Sequence, residues 1–586
     1  MIRGLVATAA LGAIITCAPQ VPVASSDAAA PAIPPRTAAS FPESWRFEPG
    51  AGASFSAHAM VASNDRLASE AGLGILRNGG NAIDAAVATG FALAVTHPEA
   101  GNLGGGGYMV VRMADGRTAA LDYREMAPLA ATRNMYLDSA GELTDGSLVG
   151  HLASGVPGAV MGLTEALERF GTMDLATVIA PAIRLASDGF IVDSNLYRSI
   201  RNDRELIARF AGGATFLPEG EPPAPGTRFH QPELARTLRL ISERGARAFY
   251  QGEVAELIAD EMRRGGGIIT EEDLAGYEAV WRNAVRSTYR GYALLTMPPS
   301  SSGGVTITET LNILETYDDL PPVNSARYVH RLGSAYQLAF IDRNSRLADP
   351  AFEDVPVAEL TSKEYARELR GSIQVDRATP TRELTPVMVD ATGGTHTTHY
   401  SVVDAAGNAV ATTTTINGLY GSGVFIPGAG FFMNNEMDDF AAQPGEPNQF
   451  GLVQGEQNAI EPRKRMLSAM SPTIVLDPEG GLLLVVGARG GPRIITSTSQ
   501  VVLNVIQNRM SLADAMSAPR IHHQALPDLL RYEEGGLPED VLTQLRTMGY
   551  SVSPIGSIGT VIGVMRVSGG YEGMVDPRSY GGAVGY

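Results

Sequence analysis

From residue 397 onward the chain carries the short apolar runs and turn signals of β-structure. Residues 397–403, Thr-Thr-His-Tyr-Ser-Val-Val, and residues 409–417 flank Asp404-Ala405-Ala406-Gly407-Asn408, a turn-rich segment that predicts a hairpin. Later strands are expected at 472–476 and 481–487, and helices at 497–507 and 511–518, the second opened by Ser511 as a cap. Upstream the periodicity is helical. Ser63 or Asn64 is placed to cap a helix running through Leu67, Ala71, Leu73 and Leu76 to a Gly79-Gly80 stop. The following helix, 81–95, is small and apolar on every side, so both of its faces should be enclosed. Gly104-Gly105-Gly106-Gly107 then precedes a strand-like Tyr108-Met109-Val110-Val111. Phosphate-binding loops run strand, glycines, helix, so this order predicts close backbone packing instead. Residues 150–370 alternate helices and loops and hold most of the charged helices, such as 253–264. Strands enclosed between helical layers predict a layered α+β architecture.

Composition narrows the function classes. With 586 residues, 44% of them hydrophobic, the chain can bury a large core, and 66 glycines suit many tight turns. A formal net charge of −18 argues against a nucleic-acid partner. Met1-Ile2-Arg3 and the apolar run 5–16 read as a secretory signal over residues 1–17, and residues 18–50, rich in Pro, Ala and Ser, read as a flexible tether. Cys17, the one cysteine, ends that run; a lipoprotein cleavage site and an ordinary signal peptide with an incidental cysteine both fit. The expectation is an exported, periplasmic protein whose only membrane attachment would be a lipid anchor at Cys17. Its mature part has no intrachain disulfide and no cysteine nucleophile.

The candidate chemistry centres on Thr397. The glycines at 393 and 394 would let the chain be cut just before it. A threonine freed there carries a hydroxyl nucleophile and an α-amino group of unperturbed pKa about 7.7–8.0, able to act as its general base. Gly490-Gly491 can present successive amides to an oxyanion, or can be a simple turn. Arg124 can pair with Asp122 or Glu125, or bind an anion; Glu436 and Asp439 can solvate a loop or bind a cation. His522-His523 invites a metal reading, but strand neighbours point to opposite sides and no third ligand pattern accompanies them. No Gly-x-Ser-x-Gly elbow precedes a helix.

Several motifs occur together and in order: Gly79-Gly80-Asn81-Ala82-Ile83-Asp84-Ala85-Ala86, Asp122-Tyr123-Arg124-Glu125, Pro299-Ser300-Ser301-Ser302-Gly303-Gly304, Asn434-Asn435-Glu436-Met437-Asp438-Asp439-Phe440, Leu467-Ser468-Ala469-Met470-Ser471-Pro472-Thr473, Gly487-Ala488-Arg489-Gly490-Gly491 and Asp576-Pro577-Arg578-Ser579-Tyr580-Gly581-Gly582. With the strand at Thr397, they make the chain from about residue 58 onward resemble the γ-glutamyltransferases, or glutathione hydrolases, of the N-terminal-nucleophile hydrolases. The resemblance implies a four-layer αββα sandwich and self-cleavage between His396 and Thr397. The products would be a heavy piece, 51–396, and a light piece, 397–586, that stay together. It implies cleavage of γ-glutamyl amides such as glutathione, with water or acceptor amino acids and peptides taking the acyl group, and no metal or organic cofactor. By the same resemblance Thr415 orients the nucleophile and Gly490 and Gly491 form the oxyanion hole. Arg124 and Ser468 bind the donor's carboxylate, while Asn417, Glu436 and Asp439 surround its ammonium.

Three positions depart from the family pattern. Ala469 replaces a second serine, removing one hydroxyl worth roughly tenfold in selectivity for glutamate. Phe450 stands where bacterial members often carry a lid tyrosine, in a polar, Gly/Pro-rich segment, 443–457, expected to be a mobile cover. Ile562 stands where glutamine is frequent. A glutaryl- or cephalosporin-type amidase on the same scaffold, and an unprocessed exported binding protein, are the competing readings.

Overall fold

The chain divides into two units, Met1–Pro34 and Pro35–Tyr586. The computed structural model describes Met1 and residues 36–37, 39–50, 52–385 and 397–586, and every element below belongs to the second unit. The apolar leader, Cys17, the glycines at 393 and 394, and His396 lie outside the described residues.

Two seven-stranded sheets face each other. One is ordered Gly582–Gly585, Met60–Ser63, Thr398–Val403, Ala409–Thr415, Gly106–Arg112, Thr118–Tyr123 and Val280–Arg282. The other contains Thr560–Val567, Leu482–Arg489, Thr473–Leu476 and Tyr292–Thr296 side by side at its centre. Helices Arg66–Arg77, Ala82–Thr96 and Ala159–Phe170 cover the outer face of the first sheet; Gly303–Glu315 and Arg493–Ile506 cover the second. The result is the expected four-layer αββα sandwich.

Strand alternation assigns the faces. Along Thr398–Val403, Tyr400 and Val402 join the apolar cluster under the helices, while Val403 joins the cluster between the sheets. Ser401 Oγ donates across the sheets to the Val485 carbonyl at 3.3 Å. Thr397 shares the phase of Ser401 and Val403 and so belongs to the side facing the partner sheet.

Helix Ala82–Thr96 is buried at every position and opens with a capping box between Asn81 and Asp84. The hairpin forms as expected, with Thr398 opposite Thr414 and Val403 opposite Ala409. The tetraglycine packs closely: a methyl group on Gly105 would lie 2.1 Å from the Thr415 carbonyl oxygen, and one on Gly104 2.2 Å from that of Phe432. Ile562, buried at 1% exposure opposite Gly487 and Val575, is accounted for as a core side chain in the second sheet.

One expectation needs correcting. Asp65, not Ser63 or Asn64, caps the first helix, its carboxylate accepting from the Ala68 N–H; Ser63 is the last residue of a strand and its backbone is committed there. The segment read as a tether is anchored at Trp45 and Phe47. Trp45 is buried, its Nε1 donates to the Ser517 carbonyl at 2.8 Å, and the Arg578 guanidinium lies over its ring and that of Phe47. Composition averaged over 18–50 hides these two aromatic anchors.

Candidate active site

Segments from across the chain converge on one cavity. The hairpin contributes Thr397 and Thr415: Thr398 pairs with Thr414, which sets their outer neighbours side by side at the cavity. Thr397 is only 4% exposed. The Thr415 hydroxyl accepts from the Asn417 N–H at 2.7 Å, which leaves its own O–H as a donor. Thr413, one pleat further in, instead meets the ring of His399 between the sheets.

The Arg489–Arg493 turn contributes the backbone amides. Gly490 and Gly491 have φ of +134° and +57°, and Gly491 faces the cavity under the Phe450 ring. Pro492 then caps the Arg493–Ile506 helix, which starts four residues earlier than its pattern predicts because the strand leaves the sheet through this turn.

Ser468, also lining the cavity, is held by its backbone. Its N–H donates to the Ser300 carbonyl (3.1 Å), its carbonyl accepts from Ser302 N (2.8 Å) and Oγ (2.5 Å), and its own hydroxyl accepts from Met470 N. The serine-rich segment 300–302 is therefore a cradle for Ser468. Ala469 lines the cavity beside it without a polar atom.

The charged wall is Arg124, fully buried, with Nη1 2.6 Å from Glu436 Oε2 and Nη2 2.5 Å from Asp439 Oδ2. Glu125 lies at 3.5 Å. Asp122 takes only the Arg124 backbone N–H; its carboxylate is engaged by Arg282 and Arg465. Arg124 thus pairs mainly with neither Asp122 nor Glu125 but with the two carboxylates that the resemblance assigns to the opposite end of the donor. Burial works against the guanidinium's charge, but Glu436 and Asp439 outweigh it and hold Arg124 firmly protonated. Burial also pushes both acids up, Glu436 well above the usual carboxylate range, with Arg124 opposing; Glu125 rises to about 7 for the same reason. Glu436 Oε1 has no hydrogen-bond partner among the described residues. Asn417 completes this side, donating from Nδ2 to the Asn435 carbonyl.

Segment 443–457 roofs the cavity and is tied down rather than loose. Asn448 Nδ2 donates to Asp439 Oδ1 (3.1 Å), Gln449 N to Asp438 (2.9 Å) and Gln524 Nε2 to the Gly451 carbonyl (2.9 Å). Phe450 and Leu452 point their side chains inward. Sequence reasoning missed Arg343, a second buried guanidinium on the cavity wall, because nothing in the mixed-charge helix Ala326–Arg346 distinguishes it from that helix's other arginines, Arg327, Arg331 and Arg346. His522 is bonded to Thr496 and Gln524, and His523 lies 3.5 Å from Asp528, so both rings have protein partners outside this cavity.

A sandwich of two facing sheets, with threonine opening a central strand onto a buried cavity lined by charged side chains, defines an N-terminal-nucleophile hydrolase. The solved cephalosporin acylase from Bacillus halodurans superposes with a TM-score of 0.81 at 28% identity, covering 93% of this chain and 99% of that one. The chain belongs to the gamma-glutamyltranspeptidase family, whose model matches residues 68–586. It is 47% identical over 525 residues to the glutathione hydrolase proenzyme of Escherichia coli (strain K12), 89% of this chain and 90% of that one. It is 42% identical to the acylase ACY 1 proenzyme of Pseudomonas sp. (strain SE83), over 84% of this chain and 87% of that one.

Proposed function

We propose that this chain is a self-processing γ-glutamyltransferase and glutathione hydrolase. The observation that carries the reading is the convergence of Thr397, Thr415, Gly491 and the Arg124–Glu436–Asp439 group on one cavity. In processing, the Thr397 hydroxyl attacks the His396 carbonyl, the acyl group moves from nitrogen to oxygen, and water cleaves the ester. Heavy (51–396) and light (397–586) pieces remain associated, because the Thr398–Val403 strand lies between Met60–Ser63 of one and Ala409–Thr415 of the other. The relatives named as proenzymes support this step.

In turnover, the freed amine of Thr397 takes the hydroxyl proton as oxygen attacks the donor's γ-carbonyl. The amides of Gly490 and Gly491 receive the negative charge that develops on the carbonyl oxygen. The amine then returns the proton to the leaving amine, and the acyl-threonine ester passes to water or to an acceptor amino acid or peptide. Thr415 donates its remaining O–H to the nucleophile. The donor's ammonium enters beside Glu436 Oε1 and Asp439; its carboxylate approaches Arg124 and Ser468. A denaturing gel with mass spectrometry tests the mechanism: two bands, the smaller beginning at Thr397, and a single band for Thr397→Ala. A wild-type protein that stays one band yet cleaves γ-glutamyl-p-nitroanilide sinks it.

The second reading, an amidase for glutaryl-type side chains, is favoured by one observation, the missing hydroxyl at Ala469, and by the acylase relative. Faster turnover of glutaryl- than of γ-glutamyl-p-nitroanilide would select it. Export to the periplasm rests on the pattern of residues 1–17; loss of radiolabelled lipid on Cys17→Ser would establish the anchor.

A further inference from the structure

Two arginines line the cavity, and their states differ. Arg124 has both terminal nitrogens engaged by carboxylates. Arg343, with no exposed surface by residue, has only neutral partners: Nε donates to Ser302 Oγ (3.1 Å) and Nη1 to Asn344 Oδ1 (2.9 Å) and Gln454 Oε1 (3.4 Å). Its Nη2 has no partner among the described residues. The carboxylate nearest in charge, Asp439, is already committed to Arg124 through Oδ2 and to Asn448 through Oδ1. A buried guanidinium nitrogen left without an acceptor is costly, and folds retain such a group where something else completes it. Desolvation draws the Arg343 guanidinium down to about 10, still charged at neutral pH.

We infer that Arg343 is a further specificity-determining residue whose Nη2 joins Arg124 and Ser468 in holding the carboxylate of the acyl donor. The inference rests on the γ-glutamyl reading for its preferred donor but requires only a donor whose acyl chain ends in a carboxylate. Ala469, in the same cavity, offers that carboxylate no side-chain polar atom, whereas an uncommitted arginine supplies a charge-assisted bond. Ser302 connects the grip to Ser468, since the hydroxyl that accepts from Arg343 donates to the Ser468 carbonyl. Gln454 connects it to the roof, since its carbonyl oxygen accepts from Arg343 while its amide donates to the Asp439 carbonyl. A carboxylate arriving at Nη2 therefore meets a guanidinium already fixed on its other two nitrogens, which keeps the ordering cost of binding low.

Calorimetric titration of the processed enzyme with L-glutamate, glutarate and 4-aminobutyrate tests this. Glutarate lacks the ammonium and 4-aminobutyrate lacks the α-carboxylate. In Arg343→Gln the ratio of glutarate to 4-aminobutyrate affinity is expected to fall about ten- to a hundredfold, as for one lost hydrogen bond to a charged group. In parallel, KM for γ-glutamyl-p-nitroanilide should rise more than kcat falls, and Arg343→Lys should restore part of the ratio. An equal loss for all three ligands, or an unchanged ratio, overturns the inference and makes Arg343 a structural residue. So does a wild-type enzyme that binds neither glutarate nor glutamate. If wild type binds glutarate but not glutamate, the γ-glutamyl reading fails and the Arg343 assignment stands. Should Arg343→Gln not fold, Arg343→Lys is read by the same ratio, where no change against wild type overturns the proposal.

Discussion

Gly491→Ala puts the oxyanion assignment under the most direct strain. The residue has φ +57°, a region where an L-residue costs about 1–2 kcal/mol. The added methyl would lie 2.7 Å from Phe450 Cδ1, with the next two ring carbons at 3.1 and 3.2 Å. That contact is too short to keep, so either the Phe450 ring swings toward the roof or the 490–491 amides rotate. The first response opens the roof at small cost in kcat, while the second withdraws a donor from the oxyanion, worth about 10²–10³ in kcat. The double variant Gly491→Ala/Phe450→Leu separates them by making room for the methyl while leaving the backbone problem. We expect Gly491→Ala to be processed slowly and, once processed, to lose about 10²–10³ in kcat on γ-glutamyl-p-nitroanilide. Removing the Phe450 ring should recover less than about tenfold of it, or 1.4 kcal/mol. Thermal unfolding serves as control, since a strain of 1–2 kcal/mol moves the midpoint by only about 1–2 °C in a chain this long. A kcat within about threefold of wild type, in a protein whose first light-chain residue is Thr397, refutes the assignment of Gly491 to the oxyanion hole.

Three further outcomes follow from the same geometry. Arg124→Met strands Glu436, Asp439 and Glu125 without their common cation and should destabilise the fold by about 3–5 kcal/mol in urea titrations near neutral pH. That deficit should shrink on acidification, because the three carboxyls, already raised by burial, become neutral. Ala469→Ser should lower KM for γ-glutamyl-p-nitroanilide by up to about tenfold by returning a hydroxyl to the donor's carboxylate; an unchanged KM would show that the carboxylate lies elsewhere. His522 is held neutral by burial, its pKa lowered to about 3, whereas the unfolded chain takes up its proton near 6.5. Stability tied to His522 is therefore complete above pH 6.5 and falls as pH drops toward 3, by up to about 3 kcal/mol at pH 4. His522→Gln should show a flatter acid limb of urea midpoint against pH, even if it starts from a lower value.

The elements and the nucleophile were legible in the chain because their signals are local. Period-two alternation and a Gly-Asn turn identify the hairpin, continuous small apolar residues identify a helix enclosed on both faces, and ordered motifs identify the family. The first helix cap was misplaced because Asp65, Asn64 and Ser63 all suit a cap, and only strand pairing decides which residue is left for the task. The anchors Trp45 and Phe47 escape notice because two aromatics are outvoted in a Pro/Ala-rich average.

What the sequence determined by itself is the chemistry on offer: a threonine with a possible amine of its own, paired glycines, one arginine and two acids at recognisable spacing. What tertiary structure alone decided is how those charges are shared. Arg124 is spent on Glu436 and Asp439, the serine cradle is spent on Ser468, and Arg343 is left with a buried nitrogen unmatched among the described residues. Pairing between charges depends on distances across segments hundreds of residues apart, and on the loss of water that makes each match or mismatch count. No periodicity along a chain encodes that.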